Sequence, residues 1–547
     1  MLSAQSNPGT RKETTFYIVH FSCRILLASI GRKHTIAVPK YCDKRKLNEV
    51  IYRTTIMTKN HSSALDLRAI ARRAAIDAGF APDVPPAAIS ELQAISSKRM
   101  PVTLDQPVRD LRSLLWSSID NAESRDLDQV EYAERQDGGR IRVMVGIADV
   151  AAYVSKGSAL DAHATRNCTS LYTGVETFPM LPEQLSTDIT SLLGDVDRTA
   201  VIIDLVVNDE GEIISGDVYL AALHNYAKLA YEPVGAWLDR GGPVPPPITS
   251  VPGMADQIRL QLEAARRLLA QRQQNGALHF ETLEATPVIS DGQVTGFSVT
   301  KHSSARDIIE NFMIAANIAM AHFLEASGSL SLRRVVRTPE RWPRIVEIAA
   351  SLGEHLPTEP DARALADFMA RRKAADPAHF PDLSLSIVKL LGPGEYAVEA
   401  PGTAHEGHFG LALRDYTHST APNRRYADLV TQRLVKAVIA NGPAPYTEDE
   451  LARIAARCTE REDAARKVER QMRKVTAAVM LSHRIGEEFD AIVTGVTPKG
   501  TFARLIAPPV DGRVVRGERG LDVGDKVRVR LVATEPERGF IDFERVR

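Results

Sequence analysis

The chain has 547 residues, of which 44% are hydrophobic, 25% charged and 6% aromatic. These are ordinary globular values, and they exclude a disordered or collagen-like chain. The net charge of −1 conceals an asymmetry, because residues 1–56 carry +7 and the remainder −8; a basic track for a polyanion must therefore be local, and acidic clusters become candidates for holding a cation.

At roughly 150 residues per domain the length corresponds to about three or four domains. The apolar runs are too short and too interrupted to span a bilayer. Four scattered cysteines (Cys23, Cys42, Cys168, Cys458) form no C-x-x-C pair, which argues against a disulfide scaffold or structural zinc and fits a reducing, cytoplasmic setting. Residues 16–30 are apolar but broken by His20 and Arg24. The 1–56 segment reads either as a basic targeting or RNA-binding arm or as an upstream extension. With no clean period in it, we expect an extension outside the fold and a working chain from near Met57.

Helical spacing over 64–79 and a start at Pro85-Pro86 predict a small helical module over 57–109, either a nucleic-acid-binding unit or a packing cap. From 110 to 221 strand signals dominate: RIRVMVGIADVAAYV alternates and then runs apolar, and TAVIIDLVVNDEGEIISGDVYLA reads as a hairpin turning at residues 208–211. Helical patterns follow at 254–274, 305–326, 344–352, 361–375, 424–440 and 448–484. From 483 to 547 short alternating strands separated by glycine turns predict a small closed β-barrel of the OB type. The whole is an α+β pattern. Arg513, Arg516, Arg519, Lys526, Arg528 and Arg530 make the barrel locally basic. With Phe502 beside a turn it reads as a single-strand binder; alternating Arg outside and Val inside is also the ordinary face of a strand.

The segment SSIDNAESRDLDQ places Asp120, Asp126 and Asp128 within nine residues. Asp126 and Asp128 share a face in extended chain. Converging carboxylates repel unless a cation neutralises them, and hard oxygen ligands suit Mg2+ or Mn2+. The alternative is a solvated acidic loop. In YTHSTAPNRRYADLVTQRL, Arg424 and Arg425 stand at a helix start, a phosphate-binding position; alternatively they pair with Asp428 or surface acids. Together, a metal-holding cluster and an arginine clamp are what phosphodiester hydrolysis needs.

These segments, with VGIADVAAYV, LYTGVETFPMLPEQLS (171–186), AKLAYEPV and ARDIIENFMIAANIAM, resemble in order the ribonuclease II / ribonuclease R family, whose catalytic module is the RNB domain, here 110–482. The resemblance implies processive 3'→5' hydrolysis of single-stranded RNA to nucleoside 5'-monophosphates, at a magnesium site at the end of a narrow channel. It gives Asp120, Asp126 and Asp128 the acidic positions, Asp128 being the one most critical for chemistry. Arg424 falls at the contact to the scissile phosphate, and Tyr172 and Phe280 at the clamp on the terminal base. Tyr231 falls near the last nucleotides, Glu310 on the terminal ribose, and Glu469 near the active site. The terminal barrel is similar to the OB-type RNA-binding domain that ends many members.

Aromatic faces stack on any base, and a carboxylate can accept a ribose 2'-OH, which suits these roles; core packing is the plainer reading of the three aromatics. Three departures stand out. The fourth acidic position is Gln129, an uncharged oxygen donor, for which we expect weaker metal binding or a shifted ligand set. Ala421 replaces the usual Ser before the Pro of the Arg motif. The helical module stands where the usual pair of cold-shock domains would be. We therefore expect a monomeric enzyme acting on single-stranded RNA, with no membrane association. The competing readings are an RNA-binding protein on the same fold with weak or lost chemistry, and a metal-dependent DNA nuclease.

Overall fold

The computed structural model describes residues 65–97, 108–281, 285–290, 293–299, 302–377, 379–403, 407–522 and 524–546, together with the backbone of four short strands ahead of them. It divides into two compact units, 1–66 and 67–547. In the first, Val19–His20 pairs antiparallel with Cys23–Arg24, and Leu27–Ile30 with Lys33–Ile36. Regular structure thus exists where the sequence shows no period. The rest of the expected extension, like residues 57–64 and 98–107 of the helical module, lies outside the described residues.

The second unit opens with α1 (Leu67–Asp77) and α2 (Pro86–Ser97). Leu67, Ala71, Ala74 and Ala75 recur on one buried stripe of α1, the spacing of a surface helix docked by one face. Ala88 and Leu92 of α2 join the main core. Through α2 the module packs on the body that follows.

That body is a six-stranded sheet, β1 (Arg109–Asp110), β2 (Trp116–Asp120), β3 (Gln129–Arg135), β4 (Ile141–Ala148), β5 (Asp197–Val207) and β6 (Ile213–Ala230), in the order β5-β4-β3-β2-β6-β1. β4 is buried almost throughout, as its apolar run requires of a central strand. The 18-residue β6 pairs antiparallel with β5 and then runs parallel to β2, so the sheet wraps back on itself. β2 meets β3 at the single pair Ser117–Glu131. Helix α3 (Ala159–Asn167) lies between β4 and β5, and α4 (Tyr231–Arg240) and α5 (Met254–Gln274) follow β6. Gln257 of α5 accepts from the Ala133 N–H at 3.0 Å and donates to its carbonyl at 2.6 Å. A side-chain amide thus stands in for the missing strand neighbour and satisfies buried backbone groups.

The second half contains α6 (Ser304–Ala326), β7 (Ser331–Val335), α7 (Trp342–Ser351), α8 (Ala362–Ala375), α9 (Phe380–Leu391) and β8 (Glu395–Glu399), which pairs with β7. Helices α7 to α9 close over their own apolar cluster of Trp342, Phe368 and Phe380. Helix α10 (Tyr426–Ile439) precedes α11 (Glu448–Leu481), whose 34 residues span about 50 Å at 1.5 Å per residue. Thr447 and Glu450 form a capping box at its start. The chain ends in a closed barrel, β9 (Glu488–Thr497), β10 (Gly500–Leu505), β11 (Asp511–Arg516), β12 (Lys526–Glu535) and β13 (Phe540–Arg545), in the order β9-β10-β11-β13-β12. A Cβ on Gly512 would lie 2.3 Å from the Phe543 ring, so only glycine lets that ring fill the barrel. The α+β architecture with a terminal barrel is as expected; α3, α4, α9, β7, β8 and β11 are additions that the patterns did not reveal.

Candidate active site

Asp120 ends β2 level with Ala230 of the parallel β6, and the next residue, Tyr231, begins α4. The loop from Asp120 to β3 is pinned at its far end. Ser191 Oγ accepts from the Leu127 N–H at 2.9 Å and donates to the Arg125 carbonyl at 2.7 Å, and Leu192 N–H donates to the Leu127 carbonyl at 3.0 Å. Asp128 is 3% exposed. One of its oxygens accepts from the Asn423 N–H at 3.3 Å and the other from Arg424 Nε at 3.3 Å.

A strap at 168–170 positions that arginine. The Ser170 N–H donates to the Arg424 carbonyl at 3.0 Å, and the Tyr426 N–H donates to the Cys168 carbonyl at 2.8 Å. Thr190 Oγ1 donates to Asn423 Oδ1 at 2.7 Å. Segments 233 to 258 residues apart are thereby locked together. Ser191, Thr190 and Asn423 are structural supports that the motif reading did not single out; each bonds through common side-chain or backbone groups, so nothing in the sequence marks them.

The electrostatics are set first by burial and then by neighbouring acids. Burial pushes the Asp128 carboxyl up to about 7, with Arg424 opposing and Asp126 adding to the rise. Burial also raises Asp126, as does the charge of Asp120. Glu131 is driven well above the carboxylate range by burial and then by Asp120. The Tyr172 phenol is pushed up to about 12, chiefly by burial, within reach of the charges on Arg424, Asp126 and Asp128. Tyr231 is raised by burial, Asp120 and Glu131. The structure thus brings Asp120, Asp126, Asp128, Arg424, Tyr172 and Tyr231 together, and adds Glu131.

Among the described residues no group of three or more His, Cys, Asp or Glu side chains is placed to hold a metal ion. The donor chemistry nevertheless fits magnesium. Mg2+ takes one or two carboxylates and keeps several waters, and a cation would offset the cost of ionising carboxyls that burial holds toward protonation. Gln129 opens β3, paired with Ile147, and adds no charge there.

The remaining expected residues are spread more widely. Tyr172 is 44% exposed, and its backbone N–H donates to Glu469 Oε1 of α11 at 3.1 Å; Glu469 acts on the site through that peptide. Phe280 and Phe502 line one cavity of about 990 Å3 between α7, α9, α11 and the barrel. Glu310 is exposed on α6, with Arg272 and His302 as its electrostatic neighbours. Arg306 stacks over the Tyr231 ring at 4.2 Å.

One expectation is corrected. Arg425 does not stand beside Arg424 as a second phosphate contact: its guanidinium turns inward to Asp428 Oδ1 at 2.7 Å and Thr420 Oγ1 at 3.4 Å, because a buried carboxylate at i+3 outcompetes solvent. In the barrel, three of the six basic residues named above are engaged in ion pairs. Arg516 pairs with Glu544, Arg528 with Glu488 and Asp490, and Arg530 with Glu488 and Glu544. The positive wall of the cavity comes instead mainly from helix and loop residues, among them Arg341, Arg344, Lys389, Arg470 and Lys474, facing Asp511 and Asp522.

Comparison with known proteins places this geometry. The RNB domain model matches residues 108–441, and the RNase II-type exonuclease C-terminal S1 domain model matches 487–546. Ribonuclease R 1 of Lactococcus lactis subsp. lactis (strain IL1403) is 29% identical over 467 residues, covering 80% of this chain and 56% of that protein. The structure of Mycoplasma genitalium RNase R in complex with ribose methylated single-stranded RNA superposes with a TM-score of 0.79 at 22% identity, over 88% of this chain and 78% of that one. Yeast Ssd1, a pseudonuclease, superposes at 0.61 with 17% identity, over 79% and 53%. The chain spans somewhat over half the length of the curated relatives it matches. The structural likeness shows the fold; the match from 108 to 441, more than half of the chain, shows that it belongs to the RNB family.

Proposed function

We propose that the protein is a 3'→5' exoribonuclease that hydrolyses single-stranded RNA processively to nucleoside 5'-monophosphates, with Mg2+ or Mn2+ as its metal. The observation that carries this reading is the contact of Arg424 with the buried Asp128 inside a nest of carboxylates. Family membership supplies the direction of attack, and the RNA held by the Mycoplasma neighbour supports the substrate class.

Asp128, with its carboxyl at about 7, is poised to take a proton from an attacking water near neutral pH. Arg424 spends its Nε on Asp128 and is 42% exposed, leaving the outer guanidinium to meet charge building on the scissile phosphate. A divalent ion held at Asp120 and Asp126 would supply Lewis acidity toward phosphate oxygens and a more acidic water. Tyr172 offers an exposed ring to the terminal base, Phe280 and Phe502 offer stacking faces along the cavity, and Tyr231 lies beside Asp120. Stacking of this kind is sequence-tolerant. Glu310 accepts a ribose hydroxyl, favouring RNA over DNA. The free, buried thiols of Cys168 and Cys458 suit a reducing, cytoplasmic compartment.

A second reading, RNA binding without hydrolysis, rests on Gln129 at the fourth acidic position. A time course with 5'-labelled single-stranded RNA and matched DNA, with and without Mg2+, separates them. The enzyme reading predicts RNA shortened from its 3' end only with metal, and an Asp128→Asn variant that binds without shortening. Wild-type protein that binds RNA and leaves it intact establishes the second reading, and equal cleavage of DNA makes the protein a general nuclease.

A further inference from the structure

With Arg425 turned inward to Asp428, Arg424 is left as a single arginine of its motif for the phosphate. A second guanidinium reaches the site from α6. Arg306 stands in the first turn of that helix, and its guanidinium lies over the Tyr231 ring at 4.2 Å. Among the described residues no ion pair or hydrogen bond engages its guanidinium nitrogens. Asp307, beside it, pairs with His302 at 2.8 Å instead. A cation in the first turn works against the helix dipole, so nothing in the helix itself favours an arginine there.

Two contacts fix the start of α6 on α4. A Cβ on Gly235 would lie 2.8 Å from the Ser303 Cβ, so glycine there lets the two helices press together. The Ser304 N–H donates to Asp239 Oδ2 at 3.1 Å. Helix α4 itself begins at Tyr231, directly after Ala230, the partner of Asp120. The Tyr231 phenol is raised first by burial, then by Asp120 and Glu131, and drawn back by Arg306 and Arg424. One ring is thus within reach of Asp120 and of both arginines. Stacking occupies the flat face of a guanidinium and leaves its N–H groups free in the plane, where they can grip phosphate oxygens in pairs. Glu310 follows four residues on, one turn along the same face, with Cβ atoms about 5–6 Å apart. A carboxylate at the terminal ribose and a guanidinium one turn nearer Asp120 match a nucleoside and the 5'-phosphate it carries, which is the phosphate that is cut.

We propose that Arg306 is a second arginine on the scissile phosphate: held over Tyr231, it binds a non-bridging oxygen of the 3'-terminal linkage as the strand docks. Arg424, its Nε held by Asp128, is left to meet the charge that builds in the transition state. The proposal rests on the exoribonuclease reading, in which Glu310 meets the terminal ribose.

The test is a double-mutant cycle between protein and substrate. Binding of 5'-fluorescein-labelled single-stranded RNA to the full chain is followed by anisotropy in EDTA, to hold the strand intact. Each protein meets three RNAs of one sequence: all-phosphate, one with a neutral methylphosphonate at the 3'-terminal linkage, and one with it at an internal linkage. All three carry 2'-deoxyribose on the 5' side of both test linkages, for stability. The terminal methylphosphonate is expected to weaken binding to wild type. In Arg306→Ala that penalty is expected to shrink about ten-fold, the worth of a hydrogen bond to a charged group, with the internal penalty unchanged. Arg306→Lys, which keeps the charge and loses the planar fork, is expected to fall between the two. Each penalty compares RNAs on the same protein, so a general loss of fold cancels from it. An equal terminal penalty in wild type and Arg306→Ala overturns the proposal, as does a change confined to the internal linkage. Adding Mg2+ or Mn2+ back to wild type separates the two readings. All-phosphate RNA that stays uncut overturns the exoribonuclease reading; RNA that is cut while the terminal penalties stay equal overturns this assignment alone.

Discussion

Replacing Asp128 by Asn should abolish RNA hydrolysis and yet make the metal-free protein more stable above neutral pH. Burial lifts this carboxyl from 3.8 to about 7 even with Arg424 beside it. Every tenfold gain in proton affinity is worth about 1.4 kcal/mol, so holding the ionised form in the folded state costs about 4 kcal/mol. The sign follows from proton counting. Between about pH 4 and 7 the folded state keeps a proton that the unfolded state has released, so stability falls as pH rises through this window.

Asn has the shape of the protonated acid and does not titrate. The stability advantage of Asp128→Asn should therefore be near zero at about pH 4 and grow to about 4 kcal/mol at about pH 8. For a cooperative unit of roughly 480 residues, at about 2.1 cal/mol/K per residue, this is a melting shift of about 4 °C. Calorimetry of both proteins in EDTA across that range measures it. An advantage that does not grow with pH, or a variant less stable than wild type at about pH 8, would refute the electrostatic reasoning.

Truncating Arg424 to Ala should lower kcat by about a hundred- to a thousand-fold, the usual cost of losing one transition-state donor, while RNA affinity by fluorescence anisotropy changes far less. Glu469→Gln should weaken RNA binding a few-fold by loosening the Tyr172 peptide it holds at 3.1 Å, with little effect on the melting temperature. Neutralising Arg470 and Lys474 in the cavity wall should reduce the slope of log affinity against log salt by about 0.7 for each RNA phosphate that the protein ceases to neutralise. The same change at Arg530, already paired with Glu488 and Glu544, should leave that slope unchanged.

Much of the fold was open to reading because its elements keep their periods. α5 begins and ends where its helical spacing does, at Met254 and Gln274, and the β5–β6 hairpin turns at its Asn-Asp-Glu-Gly. Helix α9 escaped because, after an entering proline, Leu383 to Ser386 alternate Leu and Ser, a period of two that masks the helical one. The convergence of Asp128 and Arg424 came from the order of motifs; no local pattern records a contact across some three hundred residues.

Arg425 illustrates a different limit. Asp428 three residues on was a visible partner, and burial decided in its favour. In the barrel, the acids that neutralise Arg528 and Arg530 lie on neighbouring strands, and pairing register cannot be read from alternation. Glu131 hides for a related reason. It stands among polar residues in QVEYAER and is buried where Gln257 and Gln261 of α5 reach the β3 backbone.

The most direct measurement follows the attacking oxygen. Single-stranded RNA labelled in its terminal nucleotide is digested with Mg2+ in 18O-enriched water, and the first released product is analysed by mass spectrometry. Hydrolysis at the Asp128–Arg424 site predicts the 3'-terminal nucleoside 5'-monophosphate carrying one 18O on its phosphate. A product without 18O, a 3'-phosphate or an internal fragment would contradict the account.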